Sequence, residues 1–232
     1  MRKLISIILL GIVATGLFMS ISQIPFGEPG ERMGDHFIRE GVKETGATNI
    51  VTAVVVSYRG FDTLGEVTVL FTAAMGLGAV IGLVRRKKTH PVIEPASLIV
   101  YTGCRFLFPV ILLVGTYIVI HGHLTPGGGF QGGAVVASAF LLMYLGCRGK
   151  RIRENLSRGL ESLGGLLFIL LGVTGLLIGG DFLFNFLPLG EAGTLISAGI
   201  IPLIYLAVGL KVGSELAGII DHLIENTDEL SE

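Results

Sequence analysis

Six long apolar runs decide what this chain can fold into. They cover residues 4–21, 67–84, 98–120, 132–145, 163–184 and 194–217. A helix that crosses the hydrocarbon core needs about 20 apolar residues at about 1.5 Å rise each, and each run supplies that length or nearly so. The fourth run is short and reaches it by borrowing residues 128–131. None of the runs alternates with period two, which argues against a transmembrane barrel. Composition agrees: 51% of the 232 residues are hydrophobic and 15% are charged, with a mean hydropathy of +0.76. A soluble domain of this size would lack the charge to cover its surface. The expectation is an all-α integral membrane protein with six transmembrane helices, resident in the cell membrane as a multi-pass protein.

The first run also resembles a signal peptide. It is longer than an ordinary h-region, however, and residues 20–22 make a poor small-x-small cleavage site, so a retained first span is expected. Basic residues then set the orientation. With a cytoplasmic N-terminus, the inner segments hold Arg2, Lys3, Arg85, Arg86, Lys87, Lys88, Arg148, Lys150, Arg151, Arg153, Arg158 and Lys211. The outer segments hold only Arg32, Arg39 and Lys43, so the bias is twelve against three. An even number of spans returns the C-terminus to the cytoplasm. The chain divides near His90, into a two-span block over 1–90 and a four-span block over 91–232.

Several functions are disfavoured at this level. No basic tract interleaved with aromatics marks a nucleic-acid surface. Cys104 and Cys147 form neither a CxxC pair nor an iron–sulfur ligand set, and both read as buried small hydrophobes. No metal site, cofactor or enzymatic chemistry is expected. His121 and His123, two residues apart and without nearby Cys or acid, supply too few ligands for zinc.

Polar residues approach the membrane at three places. Residues 49–57 are apolar but too few to cross, and predict a short helix at the outer interface or packed under the outer loop. Arg59, Asp62 and Glu66 follow as the second long helix begins. Asp62 and Glu66 share a face at i, i+4, and Arg59 reaches Asp62 at i+3. The group reads either as a solvated helix start, with acids favoured by the N-terminal dipole, or as a proton- or ion-handling cluster. Arg105 lies in the third run, either partnered inside the protein or extended to the inner surface. The third place is the connection from His121 and His123 through Pro126, Gly127, Gly128, Gly129 and Phe130 to Gly132 and Gly133. Gly127, Gly129 and Gly132 satisfy a GxGxxG spacing, but no strand precedes them and no acidic partner follows at the required distance, so no dinucleotide is expected. Irregular backbone at membrane depth must be covered by protein or line water. The pairs Gly128/Gly132, Gly129/Gly133, Gly78/Gly82, Gly175/Gly179 and Gly209/Gly213 have the spacing of close helix crossings.

These residues carry a resemblance. The run Gly122-His123-Leu124-Thr125-Pro126-Gly127-Gly128-Gly129-Phe130-Gln131-Gly132-Gly133, with Arg105-Phe106-Leu107-Phe108-Pro109 before it and Gly209-Leu210-Lys211 late in the last run, resembles the B subunit of Mrp-type multisubunit Na+/H+ antiporters over about residues 91–223. The block 1–90, through Asn49-Ile50-Val51-Thr52 and Arg59-Gly60-Phe61-Asp62-Thr63-Leu64-Gly65-Glu66, resembles the small two-helix subunit of membrane-bound hydrogenase-type complexes. That subunit is itself similar to the C-terminal end of the antiporter A subunit. The resemblance implies a non-catalytic membrane subunit whose partners are the other membrane subunits of such a complex. The implied transported ions are Na+ and H+, and the ion-pathway candidates are Arg59, Asp62, Glu66, Arg105, His121, His123, Pro126, Phe130 and Lys211. A purely structural scaffold is the alternative. No mid-span Lys–Glu pair of the kind carried by the large antiporter subunits is evident in the sequence, in keeping with a companion role.

The topology is directly testable. Residues 22–48 and 121–130 are expected to face outward and both termini inward. In intact cells an impermeant thiol reagent should label a cysteine placed at Gly41 and spare one placed at Lys87; labelling at Lys87 would exclude the six-span topology.

Overall fold

The computed structural model describes residues 2–22, 33–84, 96–147 and 153–230, and all regular structure among them is helical. The helices are α1 (Arg2–Ser22), α2 (Met33–Thr45), α3 (Ile50–Thr52, continuing as a π-helical turn over Ala53–Tyr58), α4 (Gly60–Val84), α5 (Leu98–Ile120), α6 (Gly129–Gly146), α7 (Glu154–Gly179) and α8 (Ile201–Leu230). Five of them, α4 to α8, are long and apolar enough to cross a membrane, and α1 contributes a shorter apolar stretch over Ile7–Ser22. The chain forms two units, Met1–His36 and Phe37–Glu232. The first is α1 with the start of α2. The basic stretches 85–95 and 148–152, on which the expected orientation leans, lie outside the described residues, as do outer-loop residues 23–32.

Helix α8 is the centre of the larger unit, packing on α4, α5, α6 and α7. More than half of its membrane-length stretch is buried, against about a tenth for α4 and a sixth for α5. In lipid no hydrophobic force drives helices together, so close backbone approach must supply the attraction. The glycines of α6 provide it on two sides. Gly129 and Gly133 face α8, where an added Cβ would lie 2.8 Å from the Tyr205 carbonyl oxygen and 2.9 Å from Val212 Cβ. Gly132 faces α5, where a Cβ would meet Val119 Cγ2 at 2.4 Å and the Gly115 carbonyl oxygen at 2.8 Å. The Gly129/Gly133 spacing thus marks a real crossing. Gly78, by contrast, has nothing within 4 Å of its Cβ direction. Cys104 and Cys147 are buried free thiols near the α5–α6 contact.

Two boundaries differ from the sequence expectation. The apolar runs 163–184 and 194–217 suggest helices meeting across a short gap, but α7 stops at Gly179 with a left-handed cap at Gly180, and α8 starts only at Ile201. Residues 181–200 fold back over the end of α7. Phe184 lies against Gly175 and Gly179, Phe182 against Gly172, and Leu183 is buried. The Asn185 side chain holds the return, accepting from the Ile200 amide at 3.0 Å and donating to the Ala198 carbonyl at 3.1 Å. Apolar composition marks these residues as buried; it does not distinguish a span from a folded plug. The second difference is one of length: the apolar run begins at residue 67 but α4 begins at Gly60, and Asp62 and Glu66 lie at the helix start as expected.

The steric constraint on α6 predicts unequal costs. Gly132→Ala should destabilise the bundle by about 1–3 kcal/mol, the usual penalty for overpacking, and lower the thermal midpoint of the detergent-purified protein. Gly78→Ala should leave that midpoint unchanged.

Candidate functional site

One end of the larger unit gathers three segments distant in sequence: the α2–α3 stretch, the turn between α5 and α6, and residues 181–200. The turn begins at His121, the C-cap of α5, and ends at Gly128, the N-cap of α6. Gly128 has φ +148°, a conformation that residues with a side chain rarely adopt. Gly122 packs so tightly on Gly128 and Tyr205 that a Cβ would lie 2.7 Å from each. The carbonyls exposed by this irregular backbone are met by residues 48–52. The Asn49 side chain donates to the Gly122 and Thr125 carbonyls at 2.8 and 2.9 Å, and Thr52 Oγ1 donates to the Gly122 carbonyl at 2.7 Å. Thr48 Oγ1 donates to the Leu124 carbonyl at 2.9 Å, and the Asn49 amide to the His123 carbonyl at 3.1 Å. Tyr205 of α8 then donates to Thr52 Oγ1 at 2.8 Å. Residues 49–57 are therefore packed under a turn, and Asn49 also caps α3. Asn49 and Thr52, quoted from sequence only within a resemblance, and Tyr205 were not among the site candidates; a polar residue directly ahead of an apolar run is the helix-cap signal that marks Asn49.

Behind this seam lies a cavity of about 350 Å³ lined by Thr63, Glu66, Gly127, Gly129, Phe130, Gln131 and Tyr205, together with Val51, Val55 and Val208. Glu66 and the glycine-rich turn, both singled out from sequence, share it. Asp62 does not line it. Asp62 pairs with Arg59 at 2.5 Å, with both side chains largely exposed. Pro126 is exposed at the bend, and Phe130 is half-buried against the core.

The histidines diverge. His121 stacks on Tyr117 with ring centroids 4.1 Å apart. His123 is fully buried, and neither ring nitrogen attains hydrogen-bond geometry. Burial pushes its pKa below the usual histidine value; the nearby Thr194 and Leu195 backbone opposes that shift and His121 adds to it. Such a ring is neutral at pH 7. Arg105 folds back along α5 to Tyr101, with Nη1 3.4 Å from the hydroxyl and the guanidinium 5.6 Å from the ring centroid.

Lys211 requires a correction. It sits in the Ile201–Ile224 stretch of α8, so it is no inner-surface charge, and the positive bias becomes eleven against three. Its ammonium lies 3.0 Å from Glu215 Oε2 and 3.8 Å from Glu161 Oε1 of α7, under the Phe71 ring of α4 at 5.1 Å. Lys211 and Glu215 are both buried. A buried Lys–Glu pair is therefore present within α8, a pair that the sequence expectations did not name. The i, i+4 spacing of Lys211 and Glu215 was its signal, masked by treating Lys211 as part of an inner segment.

Two family models match the chain. Residues 99–218 match the family described as a domain related to the MnhB subunit of Na+/H+ antiporter, and residues 1–97 match the MbhE family of MBH subunits. The chain is 38% identical to a protein of Methanocaldococcus jannaschii described as uncharacterized, over 78% of this chain and 80% of that one. It superposes with TM-score 0.75 and 43% identity on a chain of the membrane-bound sulfane sulfur reductase, an archaeal respiratory membrane complex, covering 96% of this chain and 97% of the other. A chain of the Mrp complex from Dietzia sp. DQ12-45-1b superposes with TM-score 0.70 and 25% identity over 96% of this chain, which spans 26% of that longer one. With the glycine-rich turn and its α8 crossing both inside the matched region, this chain belongs to the family of domains related to the MnhB subunit of Na+/H+ antiporters.

Proposed function

We propose that this chain is a non-catalytic membrane subunit of a multisubunit Na+/H+ antiporter module. The module works alone or as the ion-translocating arm of a membrane-bound hydrogenase-type respiratory complex. The family membership supports the module, and the similarity to a respiratory-complex chain over nearly its full length supports the second setting. Six spans with both termini cytoplasmic, and blocks 1–90 and 91–232 taken as two fused neighbouring subunits, complete the reading. The outer faces of α4 and α5, little covered within the chain, are where other membrane subunits pack.

The observation that carries an ion-handling role is the shared cavity of Glu66 and residues 127–131. A carboxylate, a side-chain amide, two hydroxyls and the backbone of a glycine turn are hard oxygen donors of the kind alkali cations prefer. They stand at a membrane-facing end where irregular backbone is tolerated because protein covers it. Phe130 forms an apolar wall of the same cavity. Asp62, paired with Arg59 in the exposed first turn of α4, supports the helix start instead.

The test is antiport by the assembled complex in vesicles. Glu66→Gln should assemble at normal yield and raise the Na+ concentration for half-maximal exchange by about tenfold, the effect of losing about 1.4 kcal/mol of binding. Phe130→Ala should move the same parameter by a smaller factor. Asp62→Asn should change it little, since exposed ion pairs contribute about 0.2–1 kcal/mol. Reduced subunit retention with unchanged exchange per complex, for both Glu66→Gln and Phe130→Ala, would establish the scaffold role in place of ion handling.

A further inference from the structure

A second polar site lies further along the same α8 helix. Lys211 is the eleventh residue of the Ile201–Ile224 stretch. Ten residues at about 1.5 Å each place it about 15 Å into a hydrocarbon core about 30 Å thick. Lys211 is 6% exposed and Glu215 3% exposed. One Glu215 oxygen accepts from Lys211 Nζ at 3.0 Å, while the other, Oε1, is buried with no hydrogen-bond partner. From Glu215 a cavity of about 300 Å³ runs toward the end of the bundle away from the 121–128 turn. Among the described residues its titratable and charged neighbours are Tyr144 of α6, Arg158 and Glu161 of α7, and Asp221 and His222 of α8, and α4 contributes Phe71, Ala74, Met75, Leu77 and Gly78.

The unpaired oxygen defines what the site holds. Lys211 faces the carboxylates of Glu215 and Glu161, Arg158 lines the same cavity, and Glu215 Oε1 is still buried without a hydrogen-bond partner. A buried carboxylate oxygen with no partner is costly, and a positive charge at Oε1 relieves that cost. A dehydrated metal cation needs several oxygen ligands. Here the free oxygens are Glu215 Oε1 and the Glu161 carboxylate, and an ammonium already occupies the space between the two acids. A proton needs one oxygen.

We propose that Lys211, Glu215 and Glu161 form a mid-membrane proton-binding site, reached through the cavity that Asp221 and His222 line. A proton entering that cavity adds to Glu215 at Oε1, and no other bond is made or broken. Neutral Glu215 no longer holds the Lys211 ammonium, and Glu161, 3.8 Å away, is the carboxylate that takes it. The cavity at the turn reaches Val208 of α8 and this one reaches Glu215. These residues are seven positions apart, about 10 Å along the helix, with Lys211 between them. The ammonium therefore stands between two cavities opening toward opposite ends. This assignment rests on the reading of the chain as part of a proton-exchanging module and names the group that carries the proton within it.

The primary test uses the intact wild-type complex in vesicles and the carboxyl reagent dicyclohexylcarbodiimide, which modifies protonated carboxyls in apolar surroundings. Peptide-resolved mass spectrometry should find the adduct on Glu215, decreasing as pH rises and unaffected by Na+. Protection of Glu215 by Na+ would overturn the assignment in favour of a cation site, and absence of the adduct at every pH would overturn it outright. In transport, Glu215→Gln should assemble and slow proton movement by about tenfold or more, the scale on which a positioned proton-transfer group acts, with the Na+ concentration for half-maximal exchange unchanged. If Glu215→Gln does not assemble, Lys211→Met/Glu215→Leu removes both charges together. Normal proton movement in the double variant would overturn the proposal. Na+-independent behaviour of the whole complex would count against the antiport reading alone, because the labelling of Glu215 does not depend on it.

Discussion

The turn between α5 and α6 must leave its backbone carbonyls unsatisfied by helix, and the rest of the larger unit is arranged to meet them. In a water-poor setting each unpaired carbonyl costs more than the 0.5–1.5 kcal/mol or so that a typical hydrogen bond contributes net. Asn49, Thr48 and Thr52 supply the donors for residues 122–125. That requirement explains why residues 48–52 stay on the turn. It also explains the π-helical turn at Ala53–Tyr58: α3 follows Asn49 onto the turn, and the extra residue redirects the chain toward α4, with Thr63 Oγ1 closing the bend on the Val55 carbonyl at 2.8 Å.

Once the turn is fixed, Gly129, Gly132 and Gly133 place α6 against α8 on one side and α5 on the other. Central α8 then carries polar groups at two depths. Tyr205 closes the seam at the turn, and Lys211 with Glu215 lies in mid-span. Because α8 is buried on most sides, its mid-span charge finds partners from neighbouring helices, Glu161 of α7 and the Phe71 ring of α4. A charge on sparsely covered α4 or α5 would face lipid or a neighbouring protein. Arg105 on α5, resting on Tyr101, shows how the chain handles one there.

Much of the site was legible beforehand because its chemistry is written in local patterns. The glycine-rich turn and Glu66 stand out against apolar surroundings, and both border one cavity. Asp62 and Glu66 look equivalent at i, i+4, yet they separate in space: the first turn of α4 points Asp62 at Arg59, and the next turn brings Glu66 to the α8 side. The Lys211–Glu215 pair was spaced to be seen but was hidden by a boundary error. Taking 194–217 as one span put Lys211 near its inner end, whereas starting α8 at Ile201 puts it at the centre.

What the sequence determined by itself is the class of structure: apolar runs of spanning length can only be helices in lipid, because hydropathy and backbone satisfaction are local properties. It also marked candidate close crossings through glycines at spacing four, of which Gly129/Gly133 meets α8 while Gly78 meets nothing. Tertiary structure alone decided which apolar segments cross and which fold back, as residues 181–200 do over α7. It alone decided which acids are buried, because Glu161 acquires its meaning only when α7 lies beside Lys211. The physical reason is the same in both cases. Burial in this bundle is assigned by neighbours distant in sequence, and an apolar or charged residue carries no record of which neighbour that will be.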